Sequence, residues 1–108
     1  ICNRPDGEGA DQPNFEEIER AAHAAGLEAH YLPVETGKVT DAQAAEFGAL
    51  LARVPKPAVA YCRSGMRSTT LWALSNAGRL PLPDILAAAR AAGYDLKGVV
   101  RRIANGGR

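Results

Sequence analysis

Midway along the chain an apolar run, Ala58-Val59-Ala60, stops at Tyr61-Cys62 and gives way to Arg63-Ser64-Gly65-Met66-Arg67-Ser68, after which Leu71-Trp72-Ala73-Leu74 reads as helix. A strand ending on a cysteine, a tight polar loop and a helix that opens at once is a strand–turn–helix unit, the repeating piece of layered α/β folds. The same unit has a chemical consequence. Loop amides and a helix N-terminus aimed at one spot favour negative charge there, so they lower a thiol's pKa and hold an anion. Gly65 lets the backbone turn its amide inward, and Arg67 offers a planar fork suited to an oxyanion. Ser64 and Ser68 add hydroxyl donors, Arg63 adds charge, and Met66 fills the loop. Two arginines, two serines and a glycine in one turn make a poor core and a good cradle.

The rest of the chain fits around this unit. Asn14 reads as an N-cap for a helix carrying Phe15, Ile18, Ala21, Ala22 and Ala25 at helical spacing, with Gly26 as its stop. Residues 27–34 read as a strand closed by Glu35-Thr36-Gly37, and Thr40 or Asp41 caps a second helix with the apolar face Ala44, Ala45, Phe47, Leu50, Leu51 and Val54. Pro55 and Pro57 end that helix, and residues 58–61 form the strand leading to Cys62. A third helix is expected over 67–77 with Gly78 as its stop, an alanine-rich helix capped by Asp84 and ending near Gly93, and a last short helix over 96–104. The alternation predicts an α/β three-layer sandwich with a mainly parallel sheet and the cysteine loop between strand and helix. Ligands in such sheets sit beyond the carboxyl ends of the strands. That is where Asn3-Arg4, Glu35-Thr36 and Cys62 fall.

Bulk properties narrow the partners. At 108 residues the chain is expected to be one domain over residues 1–108, and 46% apolar with 23% charged residues is ordinary for a globular protein. A net charge of +1 gives no reason to expect nucleic acid or an anionic membrane. The basic residues Lys97, Arg101, Arg102 and Arg108 read as solvated helix surface. No run approaches the ~18 apolar residues of a membrane span. Cys2 and Cys62 lie too far apart in sequence to read as a disulfide framework, and no Cys/His cluster has zinc spacing, so no metal or cofactor is expected. A reducing cytoplasm is the expected location. The opening Ile1-Cys2, followed by a turn, suggests a chain that starts inside a strand.

Cys62-Arg63-Ser64-Gly65-Met66-Arg67-Ser68 resembles the active-site loop of rhodanese sulfurtransferases, which holds a cysteine persulfide. The order of segments, with Leu32-Pro33-Val34 ending a strand before the next helix, strand and cysteine loop, resembles cysteine-dependent phosphatases of the dual-specificity type. Both likenesses meet in the phosphatase-like domain of beta-lactamase hydrolase-like proteins, whose members carry segments similar to Asn3-Arg4-Pro5-Asp6-Gly7-Glu8 and to residues 60–68. The resemblance implies an N-terminal strand and helix ahead of residue 1. It also implies functional partnership with a metallo-β-lactamase-type persulfide dioxygenase or a flavin sulfide oxidoreductase.

Spacing separates the two activities. Phosphatase loops of this type have five residues between cysteine and arginine; here there are four between Cys62 and Arg67, a tighter cradle suited to one sulfane sulfur. Tyr61 stands where such phosphatases have histidine, and Glu35 and Thr36 where they have an acidic aspartate. Expelling an alkoxide needs a general acid, whereas sulfite leaves without one. The expectation is a sulfurtransferase with catalytic Cys62 and Arg67, taking sulfur from thiosulfate or a small persulfide to a thiol or cyanide. The alternative is a phosphatase with the same nucleophile and anion-binding arginine acting on a phosphorylated substrate, and a non-catalytic anion-binding loop is a third reading. Outside the loop, Arg4 is a candidate substrate contact, Asp6 and Glu35 are candidate acids, and Cys2 reads as a small buried strand residue. His23 and His30 have no ligand spacing, and Leu71 and Trp72 read as core.

Overall fold

Side-chain caps set the first two helices. In the computed structural model, which describes residues 1–106, the order is α1 (Phe15–Ala24), α2 (Asp41–Arg53), α3 (Met66–Ser75), α4 (Leu82–Ala91), a 3-10 turn at Lys97–Val99 and α5 (Val100–Ala104). Asn14 accepts from the Glu17 amide at the head of α1. Thr40 and Gln43 close a reciprocal capping box on α2, which satisfies two amides that the helix itself leaves unpaired. The fourth helix starts three residues ahead of expectation: its N-cap is Pro81 rather than Asp84, and Pro83 sits in the first turn, where a missing N–H costs nothing. Asp84 is then a first-turn acid facing the positive end of the helix dipole.

The expected parallel sheet does not form, and the three-layer sandwich is corrected accordingly. Among the described residues there is no strand, only isolated parallel bridges, with Cys2 pairing with Tyr31 on one side and with Tyr61 on the other. Backbone bonds from Cys2 to His30, Leu32 to Cys2, Val34 to Asn3, Asn3 to Tyr61 and Tyr61 to Ile1 draw three extended stretches side by side, with residues 1–3 in the middle. The reasons are local. Past Asn3 the middle stretch is turned away by Pro5. Pro33 has no N–H to offer a further neighbour, and Pro55 and Pro57 flank the third stretch. Residues 27–29 stay outside the pairing: the Leu27 amide turns back to the Ala22 carbonyl of α1, 2.8 Å away, and its side chain is 61% exposed.

The core lies where α2, α3, α4 and α5 meet these stretches: Leu32, Val34, Ala44, Phe47, Leu71, Ala73, Leu74, Ile85, Ala89, Leu96 and Ile103 are all buried in it, with Trp72 packed at its edge. The α2–α3 pair is the most extensive helix contact. Gly48 makes it possible, because a Cβ there would lie 3.0 Å from the Ser75 Cβ. By contrast α1 buries no side chain completely; Phe15 at its head stacks on Tyr31, ring centroids 4.8 Å apart. Of the C-terminal basic residues, Arg102 is tied to the Val39 carbonyl and the Asp41 carboxylate, Lys97 and Arg101 are exposed, and Arg108 lies outside the described residues. No helix is long and apolar enough to cross a membrane.

Candidate active site

Cys62 follows the Cys2–Tyr61 bridge directly, so its side chain leaves the extended stretch on the face opposite Tyr61. The chain then curls through Arg63 and Ser64 to Gly65, whose φ of 93° lies in the left-handed region, and enters α3 at Met66. This conformation turns the Gly65 amide back onto Cys62, N to Sγ 3.1 Å. Burial by itself would push the Cys62 thiol up. The amides of Ser68, Arg67, Gly65 and Ser64 outweigh it and hold the pKa below that of a free thiol. At the start of α3 the Met66 amide donates to the Ser64 hydroxyl at 3.4 Å, and it is the next two amides of the helix, Arg67 and Ser68, that act on the sulfur.

Arg67 is buried, a rare state for a guanidinium, and it is fully supplied with partners on one side. Its Nη1 donates to Glu8 Oε2 at 2.8 Å and to the Val34 carbonyl at 2.9 Å, and its Nη2 donates to Glu8 Oε1 at 2.7 Å. Glu8 is also paired with Arg4 at 3.0 Å. The two guanidinium groups hold the Glu8 carboxyl at a pKa of about 2, the Arg67 hydrogen bond being the largest cause. Arg67 in turn lies close enough to Cys62 for the thiolate to favour the guanidinium charge, after the stronger effect of Glu8.

The other loop residues divide between anchoring and exposure. Ser68 is buried and its hydroxyl donates to Asn3 Oδ1 at 2.8 Å, while Asn3 Nδ2 donates to the Leu32 carbonyl. The Ser68 hydroxyl is therefore spent on Asn3, and it is the Ser68 amide that serves Cys62. Tyr94 donates to the Ser64 carbonyl at 2.8 Å, and its ring lies over Gly65 so closely that a Cβ there would meet the phenol oxygen at 2.1 Å. Arg63, Ser64 and Met66 are exposed on the open side of the loop. Thr69 and Thr70 hydroxyls bond back to the Gly65 and Met66 carbonyls and stiffen the first turn of α3.

The structure thus brings Arg4, through Glu8, to Arg67. It places Asp6 and Glu35 elsewhere, in a neighbouring cleft of about 390 Å³ shared with Tyr31, Pro33, Lys38 and Gln43. Asp6 Oδ1 accepts from the Phe15 amide, and Glu35 pairs with Lys38 at 3.2 Å. Cys2 is buried with its thiol directed to the Arg4 carbonyl, 3.4 Å away. The phenol of Tyr61 is pushed up by burial and by the neighbouring Cys2 and Asp6, so it stays protonated. His30 contacts Glu28. Three contributors were given no role in the site from sequence: Glu8, Asn3 as the buried bridge to Ser68, and Tyr94. Asn3 and Glu8 did leave a signal, since both lie in the 3–8 segment at the ligand end of the first stretch, whereas Tyr94 left none.

Residues 1–79 match the family described as the phosphatase-like domain of beta-lactamase hydrolase-like protein. A beta-lactamase hydrolase-like protein of Agrobacterium fabrum is 35% identical over 103 residues, 94% of this chain and 24% of that protein. One from Xylella fastidiosa is 35% identical over 95 residues, 86% of this chain and 22% of that protein. The chain therefore spans about a quarter of the length of these relatives. A crystal structure from Neisseria meningitidis, presented as a candidate phosphatase, superposes with a TM-score of 0.86 at 34% identity, covering 98% of this chain and 76% of the other.

Proposed function

Because this chain belongs to the family of phosphatase-like domains of beta-lactamase hydrolase-like proteins, we propose that it is a cysteine-dependent phosphatase with Cys62 as nucleophile and Arg67 as the phosphate-binding group. The observation that carries this reading is the convergence of four loop amides on Cys62 with a buried guanidinium beside it. The Cys62 thiolate attacks phosphorus, the S–P bond forms as the P–O ester bond breaks, and the leaving oxygen departs with the bonding pair. Water then attacks the cysteinyl phosphate, releasing inorganic phosphate and regenerating the thiolate. Loop amides and Arg67 hold the non-bridging oxygens, where charge concentrates during transfer.

Asp6 and Glu35 are engaged in the neighbouring cleft rather than with the loop. A leaving group that needs no proton is the consequence: aryl monoesters are the favoured substrates over alkyl ones. The test is hydrolysis of p-nitrophenyl phosphate with burst-phase trapping of cysteinyl phosphate. Activity that disappears in Cys62→Ser is expected; unchanged hydrolysis in that variant rejects the mechanism.

A second reading is favoured by the four-residue gap between Cys62 and Arg67 and by the state of the one carboxyl described at the loop, Glu8, which its arginine partners hold ionised and so unable to protonate a leaving group. In sulfur transfer the thiolate attacks the outer sulfur of thiosulfate, the S–S bond breaks, sulfite leaves with the electron pair, and an acceptor thiol later takes the sulfur. Mass spectrometry after thiosulfate treatment decides between the two, since only this route adds one sulfur to Cys62. Protection of Cys62 by anions without either turnover would instead leave a binding loop.

A further inference from the structure

Arg67 carries five N–H donors. Three are accounted for: both Nη1 hydrogens go to Glu8 and the Val34 carbonyl, and one Nη2 hydrogen goes to Glu8. The other two, Nε–H and the second Nη2–H, lie on one edge of the planar group, the edge left to meet the Cys62 side chain. That edge is a ready fork for two oxygens of a tetrahedral anion. Glu8 thus fills one edge of the guanidinium and leaves the adjacent one available.

We propose that Glu8 is the positioning residue of the oxyanion site, holding Arg67 by its Nη1–Nη2 edge so that the Nε–Nη2 edge faces an anion above Cys62. The inference rests on the loop being an oxyanion site, as argued above. The alternative is that Glu8 is a competitor which an incoming anion must displace. Three observations favour positioning. Arg67 is 93% buried, and removing its only carboxylate partner among the described residues would leave an uncompensated buried charge. Glu8 is gripped from the other side by Arg4, so moving it breaks two ion pairs. The loop that carries Glu8 is itself pinned, because the Gly9 amide donates to Gln12, Gln12 donates to the Pro5 carbonyl, and Gly9 leaves no room beside Arg4, where a Cβ would lie 2.7 Å from Nη2.

The experiment reads binding without turnover. Cys62 is alkylated with iodoacetamide over a range of pH, with and without sodium tungstate as the protecting oxyanion, and modification is followed at the Cys62 peptide by mass spectrometry. In Glu8→Gln the tungstate concentration giving half protection rises about tenfold or more, as expected when a charged hydrogen-bonded fork loses its aim. The pH midpoint of alkylation stays within about half a unit, because backbone amides set it. Glu8→Asp, with the charge but a shorter reach, recovers part of the protection. Arg4→Met, which frees Glu8 on its other side, shifts protection in the same direction by less, and these two variants carry the test if Glu8→Gln does not fold. Protection that is unchanged or tighter in Glu8→Gln overturns the proposal in favour of an idle or competing carboxylate. Lack of tungstate protection in the unaltered protein overturns it as well. Failure to hydrolyse phosphate esters, by contrast, rejects only the phosphatase reading and leaves the binding result standing.

Discussion

At the scale of single residues, Gly65 meets two separate demands. Its φ of 93° is one that other residues adopt at a cost on the order of 1–3 kcal/mol. A Cβ there would also run into the Tyr94 ring. Gly65→Ala is therefore expected to lower the denaturant midpoint and, by turning the Gly65 amide away from Cys62, to raise the pH at which Cys62 is alkylated. Pairing it with Tyr94→Ala removes the collision but not the backbone strain, so the double variant should recover stability only in part. Full recovery would show that the ring, not the φ, makes glycine necessary. Tyr94→Phe keeps the ring and loses only the bond to the Ser64 carbonyl, a loss of about 1 kcal/mol with the alkylation profile little changed. The unaltered protein should reach half-maximal alkylation below the pH of a free thiol, since the amides that oppose burial stabilise the thiolate. A midpoint at or above the free-thiol value would contradict the arrangement of the loop.

At the scale of elements, the helices were legible because their signals are local. Asn14 and Thr40 cap their own helices within three residues, and the cysteine loop announces the start of α3. The sheet was not legible, because a strand is defined by what it pairs with. Residues 27–34 carry strand-forming residues, yet with Pro33 inside and Pro5 turning their neighbour away their pairing stops at an isolated bridge. Asp84 misled for a different reason: an acid at a helix start fits both a cap and a first turn, and Pro83 is tolerated in either case. Within the site, the loop residues were readable as a cluster, whereas Glu8 meets Arg67 across 59 residues and Asn3 meets Ser68 across 65. Nothing in local spacing encodes such pairs. The capping box on α2 allows a clean check that element stability and site chemistry are separable. Thr40→Ala should cost about 1 kcal/mol, lowering the melting temperature by about 4–8 °C in a chain of this size. Its Cys62 alkylation profile should match that of the unaltered protein. A shifted profile would mean that α2 transmits its fraying through the Gly48–Ser75 contact into α3.

At the scale of the molecule, two long-range ion pairs fasten segments that have no sheet to hold them: Arg102–Asp41 ties the C-terminal helix to the start of α2, and Glu8–Arg67 ties the loop after residue 3 to α3. The second has a definite pH signature. The Glu8 carboxyl lies at about 2 in the folded protein against an ordinary value of 4.5, so the folded state favours its ionised form. A depressed acid contributes stability that is fully present above its unfolded value and is lost as the proton goes on. The loss therefore begins near pH 4.5 and is complete near pH 2, while Arg67, its pKa raised chiefly by the hydrogen bond with Glu8, keeps its charge throughout. Because part of the Glu8 side chain reaches solvent, added salt should shrink the effect. Thermal melts of the unaltered protein and Glu8→Gln from pH 7 to pH 2 provide the comparison. The gap between them should be constant above pH 4.5 and close progressively below it, since protonated Glu8 and glutamine carry the same charge. Parallel curves over the whole range would mean that Glu8 holds Arg67 by geometry alone. A gap that widens on acidification would reverse the sign and remove the ion pair from any account of stability.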